Sequence, residues 1–190
     1  AYAHIGVVRA LREAGLPFDV VGGTSMGAIV AGCVAMGWTD DEIEQRISKA
    51  FVETNPLGDY TLPVVALVRG NRVNDRLREA FGDTLIEDLD VPFFTVSTDL
   101  VSADMRIHRG GLLRKALRAS ISLPGILPPV VDGDSLLVDG AVLRNFPVDV
   151  LKDIHRGPII GVDVALRDRI DAEDFRDPPG FLSWIAAHGF

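Results

Sequence analysis

VVGGTSMGAIVAG, residues 20–32, is the segment from which the fold of this chain is most clearly predicted. Two β-branched residues lead into Gly22 and Gly23, and a run of small and apolar residues comes next, predicted to be helical over about 26–36. A strand that turns sharply into a helix needs glycine at the corner, because a Cβ there would clash with neighbouring backbone. The stretch therefore predicts a strand, a tight turn and a helix.

The rest of the sequence alternates between helical patterns and apolar runs. One further helix is predicted to begin at a capping box of Thr39 and Glu42 and to end at about residue 51. Helical spacing of apolar residues predicts others at 4–14, 74–81, 112–122 and 147–154. Strands are predicted at 18–21, 91–100, 105–109, immediately before Asp139 and at 158–166. Apolar strands separated by helices indicate a sheet that is covered on both faces. We therefore expect one three-layer α/β/α domain over residues 1–190, with a mainly parallel central sheet.

The corner itself carries a chemical motif. Gly23-Thr24-Ser25-Met26-Gly27 fits the pattern G-x-S-x-G, the nucleophile elbow, in which a serine hydroxyl stands above a sheet at the start of a helix. The free N–H groups of a helix N-terminus favour negative charge that develops beside that hydroxyl. Ser25 is therefore the candidate nucleophile. The alternative is a glycine-rich turn with a helix-capping serine.

A serine nucleophile needs a base, and the sequence offers two candidates. Asp139 leaves the end of an apolar strand and is followed by Gly140, and ligands of open α/β sheets bind at the carboxyl ends of strands. Burial there would raise the pKa of the carboxyl group. His155 would complete the order Ser25, Asp139, His155 of an α/β-hydrolase triad. It also ends a predicted helix beside Arg156, where a surface cation complements the helix dipole.

Composition narrows the class of partner. Nineteen Lys and Arg against 27 Asp and Glu give a net charge of −8, and no basic cluster is visible along the chain, which argues against nucleic acid and against electrostatic docking on anionic lipid. No apolar run is long enough for a membrane span. The single cysteine, Cys33, lies in an apolar helical run and indicates a core residue in a reducing compartment. We therefore expect a cytoplasmic protein, and a location peripheral to the membrane stays open. GDSL, residues 133–136, is interpreted as a hairpin turn.

Five segments together resemble the patatin-like phospholipases, above all the bacterial and neuropathy-target-esterase branch of lysophospholipases. They are AHIGVVRALREAG (3–15), GTSMGAIVAG (23–32), VSTDL (96–100), ASISLPGILPPV (119–130) and LVDGAVLRNFPVDVL (137–151). Their order and their spread over most of the chain make the resemblance far more specific than any one motif.

The resemblance implies a serine acyl-ester hydrolase that acts on phospholipids or lysophospholipids at a membrane or micelle surface. The family uses a Ser–Asp dyad without histidine, which maps onto Ser25 and Asp139, and it needs no metal or organic cofactor. Its glycine-rich oxyanion loop would precede residue 1, and such domains usually run longer than this chain, so we expect a domain truncated at both ends. Gly23, Met26 and Gly27 would form the remaining elbow and oxyanion donors. A Ser–His–Asp esterase that uses His155 and a non-catalytic lipid-binding module are the alternatives. Residues 123–131 either line an acyl-chain pocket or only close the core.

Overall fold

The computed structural model describes residues 2–50, 54, 56–61 and 66–164. The α-helices are α1 Tyr2–Glu13, α2 Met26–Ala35, α3 Asp40–Ser48, α4 Asn71–Phe81, α5 Leu113–Ser120, α6 Ala141–Arg144 and α7 Val148–Ile154, with a 3-10 turn at Ile86–Asp88. The strands are β1 Val21–Gly23, β2 Phe93–Asp99, β3 Asp104–His108, β4 Val130–Asp132 and β5 Ser135–Asp139.

The strand β2 is the centre of the sheet, and all seven of its residues are buried. Thr95 pairs with His108 of β3 on one edge and with Gly23 of β1 on the other. β5 pairs with the same edge of β2 as β1, because β3 already occupies the opposite edge at those positions. The strand order is β1-β2-β5-β4, with β3 on the far edge of β2.

This register brings two strand ends together. β1 runs parallel to β2 and ends at Gly23, opposite Thr95, whereas β5 runs antiparallel to β2 and ends at Asp139, opposite Ser97. The two strands therefore approach each other head-on along one edge of β2, with a single residue, Val96, between their last partners. The turn that leaves β1 and the last residue of β5 must meet at this point.

Helices cover both faces of the sheet, and α2 lies deepest. Eight of its ten residues are buried, because Ala, Val, Ile, Gly and Cys leave no polar face to turn towards water. α2 belongs to a core shared with residues of α1, α3, α4 and α5. On the other face of β2, Phe94 and Val96 pack against Val150 of α7. The predicted α/β class with helices on both faces is confirmed.

The sheet is mixed among the described residues: the β1–β2 pair is parallel, and the β2–β3, β2–β5 and β4–β5 pairs are antiparallel. Short turns join β2 to β3 and β4 to β5, and strands joined in this way pair antiparallel, since parallel neighbours need long crossovers. The expected mainly parallel pairing therefore does not hold in this part of the chain. Gly133, at φ +59°, lies in the β4–β5 turn, which confirms the hairpin predicted around GDSL.

Several predicted boundaries shift. The capping box of Thr39 and Glu42 is confirmed, with both hydrogen bonds formed. α4 begins at Asn71 with Gly70 as its N-cap, so the prediction that Asn74 starts this helix is wrong. Residues 158–164 form no strand, and the outer edge of β1 has no strand partner among the described residues. Residues 165–166 of that predicted strand lie outside the described residues.

Candidate active site

Ser25 occupies the corner between β1 and α2 in a backbone conformation that side chains rarely adopt, with φ 53° and ψ −126°. The flanking glycine explains how the chain closes this turn. A Cβ on Gly23 would lie 2.8 Å from the carbonyl carbon of Gly27 and 3.0 Å from the backbone nitrogen of Ala28. The predicted strand–turn–helix geometry of the elbow is thus present, and glycine at position 23 permits it.

Asp139 faces the elbow from the end of β5. The Ser25 hydroxyl donates a hydrogen bond to Asp139 Oδ2 over 2.6 Å, and the Ala141 N–H donates to Oδ1 over 2.8 Å. Gly140 lets the chain leave the strand here, since a Cβ on it would lie 2.6 Å from the Val96 carbonyl oxygen and 2.9 Å from the Thr24 methyl group. The structure therefore brings together the two residues that the sequence singled out.

Burial sets the chemistry of this carboxyl group. Asp139 is only 1% exposed. Removal from water raises its pKa above the ordinary value, while the hydrogen bonds from Ser25 and the Ala141 N–H lower it to a smaller extent. Asp139 forms no ion pair within 4.0 Å among the described residues. Such a carboxylate has more affinity for a proton than one in water and can accept the proton of a neighbouring hydroxyl.

A series of hydrogen bonds through the buried hydroxyl groups of Ser120 and Thr95 supports the backbone of the elbow. The Ser25 N–H donates to Ser120 Oγ over 3.0 Å, and Ser120 Oγ lies 2.9 Å from Thr95 Oγ1. Thr95 Oγ1 also lies 3.0 Å from the Gly23 carbonyl oxygen, to which it donates. With Ser120 donating to Thr95, every proton in this series has one acceptor. The series, which we call the elbow clamp, joins α5 and β2 to both sides of Ser25.

The elbow clamp was not anticipated from the sequence. Ser120 and Thr95 are both 0% exposed, but a buried hydroxyl has no pattern in one dimension that separates it from other serines and threonines. The only signal was the position of Ser120 within the ASISLP segment, which carries the family resemblance but indicates no particular contact.

The two expected oxyanion donors differ in the structure. The Gly27 N–H already donates to the Thr24 carbonyl oxygen over 2.9 Å, so its expected role as a free donor is not met. The tight i to i−3 turn of the elbow takes up this N–H. The Met26 N–H has no hydrogen-bond partner among the described residues. It is the free donor at the start of α2, next to the Ser25 hydroxyl.

Three of the four histidines lie in the described part of the chain. His155 Nε2 lies 3.8 Å from the exposed carboxylate of Asp19, at the end of α7, as expected for a helix-terminal surface residue. His108 Nε2 lies 2.7 Å from Ser97 Oγ. His4 Nδ1 is buried without a hydrogen-bond partner among the described residues, and burial lowers the pKa of its imidazole. No hydrogen bond joins any of these three to Ser25 or Asp139.

Exposed apolar side chains follow Asp139 in the chain. Val142, Leu143 and Phe146 come shortly after Asp139 in the chain and are 47%, 50% and 43% exposed. Phe146 also lines an apolar cavity of about 250 Å³, which borders the elbow at Gly23 and Thr24 and runs between α1, α2 and α7. Residues 123–131 do not line this cavity, so the suggestion that they form a pocket at the elbow is not supported.

No metal centre accompanies the pair in the described part of the chain. Among residues 2–50, 54, 56–61 and 66–164, no group of three or more His, Cys, Asp or Glu side chains is arranged to hold a metal ion. None of the helices in these ranges is both long enough and apolar enough to cross a bilayer. Cys33 is 1% exposed, and burial raises the pKa of its thiol to about 12, which confirms it as a core residue.

An α/β sheet whose strand–helix elbow carries a serine hydroxyl, hydrogen-bonded to a buried aspartate, places the chain among the nucleophile-elbow proteins. Comparison with known proteins gives the family. A family model described as patatin-like phospholipase matches residues 1–152, and the chain belongs to this family.

Sequence relatives agree with this assignment. An uncharacterized NTE family protein of Mycobacterium tuberculosis is 42% identical over 186 residues, which are 95% of this chain and 32% of that protein. Patatin-like phospholipase domain-containing protein 6 of Homo sapiens is 36% identical over 181 residues, 92% of this chain and 13% of that protein. The chain thus spans about a third or less of the length of these relatives.

A solved structure shows the same fold at low sequence identity. VipD from Legionella pneumophila superimposes with a TM-score of 0.56 at 12% identity, over 85% of this chain and 46% of that chain. At this identity the likeness shows the fold alone.

Proposed function

We propose that this chain is a serine acyl-ester hydrolase that acts on phospholipids or lysophospholipids through a Ser25–Asp139 dyad. The single observation that carries the proposal is the 2.6 Å hydrogen bond from Ser25 Oγ to Asp139 Oδ2 at a strained elbow. Membership of the patatin-like phospholipase family supports a lipid as the substrate. The exposed apolar side chains after Asp139 support an ester with a hydrocarbon chain.

In the first half of the reaction, Ser25 Oγ attacks the ester carbonyl carbon while Asp139 Oδ2 takes the hydroxyl proton. The carbonyl π electrons move to the oxygen, which the Met26 N–H stabilises as it becomes an oxyanion. When the tetrahedral intermediate collapses, the bond to the alcohol oxygen breaks. Asp139 returns its proton to that oxygen, and the acyl group remains on Ser25.

In the second half, water replaces the alcohol. Asp139 takes a proton from the water as its oxygen attacks the acyl carbonyl carbon. The second tetrahedral intermediate collapses with cleavage of the bond to Ser25 Oγ, which recovers its proton from Asp139. The products are a fatty acid and the free serine. The burial of Asp139 serves both halves because a raised pKa makes the carboxylate a stronger base.

Release of fatty acid from lysophosphatidylcholine and from phosphatidylcholine tests the proposal. The full chain is compared with Ser25→Ala and with Ser135→Ala, a matched control at the hairpin serine. We expect Ser25→Ala to lose hydrolysis to the background rate and Ser135→Ala to retain it. Binding of the lipids without hydrolysis by the wild-type chain would favour the non-catalytic lipid-binding module instead.

A further inference from the structure

A wide cleft that neither Ser25 nor Asp139 lines lies between α4, α5 and the strand β4. Its volume is about 700 Å³. Five basic side chains from three separate parts of the chain line it: Arg69, Arg78, Arg114, Lys115 and Arg118. In a chain with a net charge of −8, this is a local concentration of the opposite sign. We call this region the basic cleft.

Few carboxylates balance these cations. Among the described residues, Asp132 is the only acidic one that lines the basic cleft, and it already forms an ion pair with Arg106 at 3.1 Å. His108 adds no charge of either sign at neutral pH, because burial lowers its pKa to about 4. The cleft therefore presents a net positive lining to any ligand that enters it.

The five cations differ in whether a carboxylate already pairs with them. Arg114 contacts Asp83 at 2.9 Å and Arg78 lies 3.9 Å from Asp75, both at the surface. Within the described part of the chain, Arg69, Lys115 and Arg118 have no carboxylate within 4.0 Å. Arg69 and Lys115 are exposed, so both are free to reach a ligand in the cleft.

Arg118 is the most informative of the three. It is only 8% exposed, and its hydrogen-bond acceptors are neutral: Asn74 Oδ1 at 3.0 Å, the Pro128 carbonyl oxygen at 3.1 Å and the Ser122 hydroxyl. The nearby carboxylate of Asp59 acts on Arg118 only from beyond ion-pair distance. Three of its five N–H groups are used, which leaves two donors for an anion. A buried guanidinium without a counter-ion is costly, and a bound anion would remove that cost.

We propose that the basic cleft is a binding site for a phosphate group, distinct from the serine–aspartate pair and independent of its activity. Arginine recognises phosphate oxygens through paired N–H donors, and lysine adds a compact positive charge. Arg118 forms the floor of the site, and Arg69 and Lys115 approach the ligand from the rim. Pro129 and Val131 line the same cleft, and Val131 is 74% exposed, so the rim also suits a phosphate that carries an apolar group.

Two sources would supply this chemistry, a free phosphate or a phospholipid headgroup, and the experiment separates them. Binding of inorganic phosphate to the full chain is measured by calorimetry at constant ionic strength. Sedimentation with phosphatidylcholine vesicles, with and without phosphatidic acid, is measured in parallel. The test variant is Arg69→Ala with Lys115→Ala, two exposed residues whose replacement leaves the floor at Arg118 intact.

The matched control removes the same two side-chain types elsewhere. Lys152→Ala with Arg156→Ala lowers the charge equally, at exposed positions on and after α7 that do not line the cleft. We expect the cleft variant to weaken binding by about tenfold or more, because it removes direct charge-assisted contacts with the ligand. The control should leave binding within about twofold, because it changes only the net charge, whose effect at a distance is screened by salt. Thermal unfolding of both variants checks that the fold is retained.

The outcomes decide both the site and its source. If the wild-type chain binds inorganic phosphate and the cleft variant binds it more weakly, the ligand of the basic cleft is a free phosphate or a soluble phosphate ester. No binding of inorganic phosphate, with sedimentation on phosphatidic acid that the cleft variant loses, assigns a lipid headgroup. Absence of both kinds of binding in the wild-type chain, or equal losses in the cleft variant and the control, would overturn the proposal. None of these readings depends on hydrolysis.

Discussion

At the scale of single residues, the elbow shows how one strained backbone position is maintained. Ser25 has positive φ, and its N–H points away from the α2 ladder to a side chain on another helix. A strained residue persists only where its surroundings fix it, and here Ser120 and Thr95 provide those contacts. We infer that Ser120 is a positioning residue, which acts on the reaction through Ser25.

The replacement Ser120→Ala tests this positioning role. Without Ser120 Oγ, the Ser25 N–H loses its acceptor, so we expect a loss of stability of about 1–3 kcal/mol and a fall in kcat of about tenfold to a hundredfold, with KM little changed. Steady-state kinetics and urea unfolding measure the two effects. Ser122→Ala is the control, because Ser122 is also 0% exposed but its hydroxyl bonds only Arg118.

The Ser122→Ala control distinguishes a role of Ser120 in positioning Ser25 from a role in stability alone. If Ser120 serves stability alone, both variants should lose free energy of unfolding and keep kcat. A fall in kcat for Ser120→Ala that Ser122→Ala does not share supports the elbow clamp.

Replacement of Asp139 should lower activity without lowering stability, unlike the replacement of Ser120. Burial raises its pKa above 3.8, so in the window between 3.8 and the raised value the folded protein binds more protons than the unfolded chain. The free energy of unfolding therefore decreases as pH rises through that window, and the penalty persists at neutral pH. We expect Asp139→Asn to lose activity while its Tm at neutral pH equals or exceeds that of the wild type.

Calorimetry across acid and neutral pH measures this difference, which should shrink as pH falls. The same raised pKa should place the acid limb of kcat/KM above the pH at which an ordinary aspartate titrates, since only the carboxylate accepts the serine proton. A variant that is less stable than the wild type at all pH values would contradict the assignment of a costly buried charge.

At the scale of elements, the sequence predicts the features that local patterns determine. The glycines around Ser25 predict a strand, a turn and a helix, because a sharp turn of this kind has no room for a Cβ at its corner. The capping box of Thr39 and Glu42 predicts the start of a helix. The direction of strand pairing depends on contacts between distant segments. For this reason the antiparallel β2–β5 pairing, which places Asp139 beside Ser25, was not predicted, although Ser25 and Asp139 were both predicted as site residues.

The edge strand β3 carries a pH-sensitive contact. His108 Nε2 bonds Ser97 Oγ, and burial, with a smaller contribution from Arg106, lowers the imidazole pKa from 6.5 to about 4. The unfolded chain therefore binds more protons as pH falls from 6.5 towards 4, and the free energy of unfolding decreases in that range. Full burial would make the loss about 3 kcal/mol, and partial exposure of the ring reduces it.

The replacement His108→Gln isolates this contribution, because glutamine keeps a polar group for Ser97 and does not titrate. Urea unfolding of the two proteins should show a stability difference that changes by about 1–3 kcal/mol between neutral pH and about pH 4, with the variant less sensitive to acid. Parallel curves for the two proteins would show that His108 is equally easy to protonate when folded.

At the scale of the whole molecule, charge and apolar surface are distributed unevenly. The basic cleft was missed in the sequence because Arg69, Arg78 and the three cations of α5 are scattered over some fifty residues and meet only in the fold. The apolar residues that follow Asp139 were visible in the sequence, but their exposure was not, since a core segment would look the same. Both surfaces depend on packing rather than on pattern.

The exposed apolar residues of α6 should determine how the chain meets lipid. We expect Val142→Ser with Leu143→Ser to lower hydrolysis of long-chain lysophospholipid about tenfold and to leave short soluble esters within about twofold, because each buried methylene contributes about 0.8 kcal/mol. Leu100→Ser with Val101→Ser is the matched control, 49% and 67% exposed at the far end of β5 from Asp139. Equal losses on short and long esters would show a structural effect instead.

A nucleophilic Ser25 activated by Asp139 determines both the site and the rate of labelling with a fluorophosphonate. The adduct is mapped by mass spectrometry in the wild-type chain, Asp139→Asn and His155→Ala. We predict an adduct on Ser25, labelling slowed about 10²–10⁴-fold in Asp139→Asn, and a rate within about twofold of wild type in His155→Ala. An adduct on another serine such as Ser135 would show that Ser25 is not the nucleophile, and normal labelling of Asp139→Asn with loss in His155→Ala would show that Asp139 is not the base.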